Sequence, residues 1–159
     1  MKYFVIADTH FGHLNVIKYC NRPFIDVNSM DETLIKNWNA VVSKIDTVFV
    51  LGDFSFYKKD KTAEICSKLN GQKILIMGNH DNRNEQYYRD CGFISAYRYP
   101  IVFNNFCLLS HEPLQLSETT PYFNYYGHVH NDNKYFDNAT SKCVSVERIN
   151  YQPYFMYNS

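Results

Sequence analysis

Six histidines are spread along the chain, each in a short polar segment just after an apolar run and most of them close to an Asp, an Asn, a Gly or a second His. Five segments result: Asp8-Thr9-His10-Phe11-Gly12-His13, Gly52-Asp53, Gly78-Asn79-His80-Asp81, Ser110-His111 and Gly127-His128-Val129-His130. Imidazole, carboxylate and amide oxygen without thiolate suit Mn²⁺, Fe, Zn²⁺ or Ni²⁺ better than Ca²⁺. The donors outnumber what one tetrahedral site uses, so two divalent ions sharing a carboxylate are the natural solution. Such a pair, roughly 3.5–4 Å apart, clamps the attacking and leaving oxygens of an in-line phosphoryl displacement. It also lowers the pKa of bound water, so that hydroxide is available at neutral pH.

Each segment alone has a bland reading. Asp-x-His arises by chance, Gly-Asp marks an ordinary turn, and a lone His at a strand end usually bonds a loop. Gly-His-Val-His can be plain strand, although His128 and His130 then project to the same side, as chelation requires. The combination, with every member at a strand end, points to metal-assisted phosphate chemistry.

Those ends need strands and helices to position them. Lys2–Ala7, Thr47–Leu51 and Lys73–Met77 are continuous apolar runs that read as buried strands. Leu14–Cys20 and Lys61–Leu69 read as helices between them. Ser29-Met30-Asp31-Glu32 has capping-box spacing, followed by Leu34, Ile35, Trp38, Val41 and Val42 on one helical face, so a helix is expected to about Lys44. This alternation predicts a parallel sheet flanked by helices, with ligands beyond the carboxyl ends of its strands. A short helix is expected near Asn84–Asp90. Beyond about residue 91 the helical pattern fades. Tyr97–Phe103 and Phe106–Ser110 flank an Asn104-Asn105 hairpin turn, with Pro100 marking an edge strand. Tyr122–Tyr126 and Lys142–Glu147 complete a second sheet, expected to be largely antiparallel. With no linker or repeat, residues 1–159 read as one domain.

Composition narrows the partners. Sixteen basic and sixteen acidic residues cancel, which argues against extended nucleic acid and leaves a small phosphorylated substrate, nucleotides included. Five cysteines with no C-x-x-C pair exclude a complete disulfide framework and favour reduced thiols. No apolar run approaches the roughly 20 residues needed to span a bilayer. A cytoplasmic protein, monomeric or homodimeric, is the expectation.

Together the five segments resemble the full motif set of the calcineurin-like metallophosphoesterases, matching from Asp8 to His130. The opening Asp-Thr-His-Phe-Gly-His is most similar to a compact bacterial and phage branch of that superfamily. The resemblance implies an α/β fold, a four-layer α-β-β-α sandwich with two central mixed sheets. It also implies that Asp8, His10 and His130 hold one metal, that Asn79, His111 and His128 hold the other, and that Asp53 bridges them, with Mn²⁺ the first candidate. His80 would approach the scissile phosphate and leaving oxygen, with Asp81 orienting its ring. An imidazole near its ordinary pKa of about 6.5 can supply the leaving group with a proton or a positive charge. Many relatives carry Gly directly after the first metal His; here Phe11 intervenes and His13 is added. His13 and Arg83 are therefore candidate phosphate contacts, or simply residues at helix starts. Three activities fit: hydrolysis of a small phosphate mono- or diester, a nuclease of the same superfamily, or a metal-binding scaffold with weak activity.

Overall fold

The apolar runs that precede the acidic motifs become one sheet. In the computed structural model, which describes residues 1–158, Lys2–Ile6 (β1), Thr47–Val50 (β2), Gln72–Ile76 (β3) and Ser95–Tyr97 (β4) lie parallel in the order β4-β3-β2-β1. Every residue of β2 is buried, as a parallel strand covered on both faces requires. Leu14–Tyr19 (α1), Val27–Val41 (α2), Lys59–Lys68 (α3) and Glu85–Asp90 (α4) supply the crossovers.

The α2 helix buries Met30, Leu34 and Trp38, one stripe at four-residue spacing. Its start differs from the expectation. The capping box is formed by Asp26 and Ser29, whose side chains each accept from the other's backbone N–H at 2.7 and 3.3 Å. Glu32 is not part of it, because the helix begins before Ser29. Asp31 consequently turns inward, accepting from Gly12 N–H at 3.2 Å and from the Tyr57 hydroxyl at 2.8 Å.

The second sheet comprises Ile101–Phe103 (β5), Cys107–Leu109 (β6), Phe123–Tyr126 (β7) and Ser141–Cys143 (β8), in that order. Only the β5–β6 hairpin is antiparallel; β6–β7 and β7–β8 are parallel. The largely antiparallel expectation is thus overturned. Parallel neighbours need a long crossover, but it need not be helical; residues 110–122 and 127–140 cross as loops here. As Pro100 implied, β5 is an edge strand. The chain then makes a short 3-10 turn at Val146–Arg148, where strand was expected, and returns as Tyr154–Asn158 (β9), antiparallel to β1.

The two mixed sheets, together with the helices, form an α/β fold. Phe103 packs against Tyr3 and Phe49 of the first sheet, with ring centroids 5.1 and 4.6 Å apart. At the other end Ala7 joins the sheets: its N–H donates to Val144 and its carbonyl accepts from Val146. That junction brings the ends of β1, β2 and β3 against the loops of the second sheet. All five cysteines are free thiols, and no helix among the described residues is long and apolar enough to cross a membrane.

Candidate metal centre

Each motif residue sits where its strand stops, and the backbone bends sharply there. Asp8, His10, Asp53, His128 and His130 all have φ between 47° and 68°. Such left-handed conformations cost side-chain-bearing residues about 1–3 kcal/mol each and persist only when surrounding bonds enforce them. Here Asp8 and His10 donate from their backbones to the Gly52 and Asp53 carbonyls at 3.1 and 3.0 Å. The glycines allow the ends to touch. A Cβ on Gly127 would strike Ala7 and the Asp8 carboxylate, and one on Gly52 would strike His111 and Gly78.

Two groups of donors result. In the first, Asp8, His10 and His130 bring ligand atoms within 4.8 Å of one another. Asp8 Oδ2 is taken by His128 N–H at 2.8 Å and the Ser145 hydroxyl at 2.7 Å. Its Oδ1, and His10 Nε2, are buried without any hydrogen bond. An unpaired buried acceptor costs on the order of 1–3 kcal/mol, so this pair is built to receive something.

In the second group, His111 Nδ1 lies 2.8 Å from the Leu51 carbonyl. A carbonyl only accepts, so the proton is on Nδ1 and the Nε2 lone pair faces inward. That Nε2 lies 2.9 Å from Asn79 Oδ1 and 3.2 Å from His128 Nδ1, and Asn79 Oδ1 is 3.0 Å from His128 Nδ1. Acceptors this close repel unless a proton or cation lies between them. Asp53 Oδ2 stands between the groups, 3.5 Å from His10 Nε2 and 3.6 Å from His111 Nε2. The donor set therefore fits two divalent cations on both counts.

Electrostatics divides the first group. Burial, reinforced by the nearby His130 and Arg22 charges, holds His10 neutral, far below the ordinary imidazole range. Burial likewise raises the Asp8 carboxyl. For His130 burial opposes the charged form, but hydrogen bonds to Cys20 and Glu147 and the charge of Asp8 win, pushing it up to about 11. A ligating imidazole must be neutral, so His130 would have to give up that proton to hold a cation.

His80 donates its backbone N–H to Asp53 Oδ1 at 2.9 Å, while its half-exposed ring holds Nε2 4.0 Å from Asp53 Oδ2. The reading of Asp81 changes. Its carboxylate does not orient the His80 ring; it accepts from Asp53 N–H at 2.7 Å, Gly78 N–H at 2.9 Å and Phe54 N–H at 3.3 Å. Both oxygens are thus spent on backbone, tying the turn after β2 to the turn after β3. Its burial pushes the carboxyl up to about 6 against the pull of those donors.

His13 stands at the N-cap of α1 but makes no capping bond. Its Nδ1 lies 3.2 Å from His10 Nδ1, and its ring stacks on Phe56 at 3.9 Å. It thereby leaves His10 Nε2 as the inward atom. Arg83 lies outside both donor groups; its guanidinium sits over the Tyr87 ring at 5.8 Å and shares a cleft with His80. Of the aromatic residues near the motifs, Phe54 is core, whereas Phe56 is 43% exposed and touches His10, His13 and His80.

The sequence motifs do not reveal Arg22 and Glu147. Glu147 Oε1 accepts from His130 Nδ1 at 3.0 Å and from Arg22 at 2.7 and 2.8 Å. Arg22 in turn donates to the Asp8 and Thr9 carbonyls at 2.7 and 3.0 Å. The one available signal was a carboxylate set among Val144, Val146 and Ile149.

Comparisons with known proteins agree with this architecture. A family model described as calcineurin-like phosphoesterase matches residues 1–156, and the chain belongs to that family. It is 40% identical to the uncharacterized protein MJ1445 of Methanocaldococcus jannaschii over 162 aligned positions, covering 96% of this chain and 85% of that protein. It is 38% identical to the Gene 66 protein of Mycobacterium phage L5, but over 47% of this chain and 37% of that one. Among solved structures, the Aquifex aeolicus protein AQ665, of unknown function, superposes with a TM-score of 0.74 at 26% identity, covering 97% and 95% of the two chains. The nuclease MPE of Pseudomonas putida superposes at 0.53 with 21% identity, covering 80% of this chain and 61% of that one, and shows the fold alone.

Proposed function

We propose that this protein hydrolyses a phosphate ester by using two divalent cations at the carboxyl ends of β1, β2 and β3. Asp8, His10 and His130 would hold one cation and Asn79, His111 and His128 the other, with the Asp53 carboxylate shared between the two groups. The observation that carries this reading is Asp53 Oδ2, nearly equidistant from His10 Nε2 at 3.5 Å and His111 Nε2 at 3.6 Å. Mixed nitrogen and oxygen donors make Mn²⁺ the first candidate, with Fe, Zn²⁺ and Ni²⁺ as alternatives.

When bound, the cations supply Lewis acidity toward the phosphoryl oxygens and activate water. The chain supplies the rest. Asp53 is fixed from below by the His80 N–H and through its backbone by Asp81, so its free oxygen faces the pair in one orientation. The His80 ring, partly open to solvent, gives the leaving oxygen a proton or stabilises its charge. No other titratable side chain on the Gly78–Asp81 turn is free for that task, because Asp81 is consumed by backbone donors. The free thiols fit a reducing, cytoplasmic setting.

The test is hydrolysis of bis-p-nitrophenyl phosphate and p-nitrophenyl phosphate, with metal content measured on the same sample. Turnover with Mn²⁺ at about two ions per chain is expected. No hydrolysis with any of the four metals, and empty sites by metal analysis, overturns the proposal.

A further inference from the structure

A cleft of about 450 Å³ opens from His80 away from the two donor groups, and apart from His80 none of its lining residues has a part in the proposed hydrolysis. Its walls include Phe56, Lys58, Lys59, Arg83 and Tyr87, and none of its lining residues is an Asp or a Glu. In a protein whose charges cancel overall, such a cationic stretch is notable. Lys59 is neutralised by Asp90 at 2.7 Å. The Arg83 guanidinium sits over the Tyr87 ring at 5.8 Å, and among the described residues neither Arg83 nor Lys58 forms an ion pair. Two cations thus face a recess that also offers flat aromatic walls, one of them Phe56, in contact with His80 at 5.1 Å between ring centroids.

We propose that this cleft is a second-phosphate subsite, selecting substrates in which the scissile phosphate is joined through a nucleoside to a further phosphate. The inference rests on the reading of the donor groups as the place of the scissile phosphate. With that phosphate beside His80, the nucleoside lies along Phe56 and the next phosphate reaches Arg83 and Lys58. Arg83 provides the planar fork that phosphate oxygens accept in pairs, and Lys58 adds a point charge. Aromatic walls hold any nucleobase by its face, which does not distinguish among bases. A mononucleotide or simple aryl ester leaves the two cations unpaired.

Binding tests this without relying on turnover. On Mn²⁺-loaded protein, thymidine 3′,5′-bisphosphate is expected to bind about tenfold more tightly than thymidine 5′-monophosphate or 3′-monophosphate, the gain of one charge-assisted phosphate contact. Arg83→Ala should shrink that advantage to about threefold or less, and Lys58→Ala should reduce it by a smaller factor. Both side chains are exposed, so neither variant threatens the fold. A bisphosphate that binds no better than the monophosphates, or an advantage that survives Arg83→Ala, overturns the subsite. Bis-p-nitrophenyl phosphate hydrolysis on the same preparation separates the two claims. Hydrolysis without the bisphosphate advantage removes the subsite alone, whereas empty sites and no hydrolysis of either nitrophenyl ester with any of the four metals remove the phosphoesterase reading and the subsite with it.

Discussion

Two buried carboxylates, Asp81 and Glu147, brace opposite halves of the proposed metal centre, and they do so by different means. Asp81 grips backbone: three N–H groups from the turns after β2 and β3 converge on it. Glu147 grips side chains, linking the His130 ring to Arg22. The first arrangement sets the path of a chain carrying Asp53, Asn79 and His80 together. The second sets the orientation of one imidazole. On the proposed reading, backbone bracing would act on both cations and on His80, whereas side-chain bracing would act on one cation. The difference follows the fold, since parallel strands ending in register leave adjacent turns that one carboxylate can span. The second sheet ends in long loops, where a ring must be held by itself.

This contrast can be broken by substitution. Asp53→Asn, at the position that serves both halves, should give the largest effect: a loss of turnover of about 10²-fold or more with fewer ions bound. Wild-type rate and full metal content would end its bridging role. His80→Ala should lower turnover by something like 10²–10⁴-fold with both ions retained, as read by metal analysis alongside kinetics. If ions leave with the ring, His80 is a ligand. Asp81→Asn should then weaken both ions by about 10–100-fold, the usual cost of losing a group that orients ligands, and lower the melting temperature as backbone donors lose their anion. Glu147→Gln should weaken only one ion, by a factor toward the lower end of about 10–100-fold, which stepwise metal titration resolves. Equal loss of both ions in the two variants would show that the two carboxylates brace the site alike.

Much of the first half was legible from local pattern. Continuous apolar runs marked β1, β2 and β3 because strands buried on both faces leave no polar alternation. The spacing of Leu34 and Trp38 marked α2, although Asp26 rather than Glu32 set its capping partner. The residues that the structure gathers into the two donor groups were also visible as His, Asp and Asn following apolar runs, with glycine beside Asp53, Asn79 and His128 marking strand ends where backbones must touch. The second half was less readable. Its strands are three or four residues long, too short for orientation to be encoded locally, so nothing in the sequence separates parallel loop crossovers from antiparallel pairing. Strand β9 went unrecognised as well.

What the chain determined by itself was the inventory of donors and the strand ends that carry them, since residue type and hydrophobic period are local properties. Tertiary structure alone decided that Asp81 serves backbone rather than the His80 ring. It also joined Arg22 to Glu147 across 125 positions and selected Phe56 from the neighbouring aromatics as the one at the histidines. Those outcomes depend on which surfaces meet when two sheets close on each other, and no local pattern carries that information.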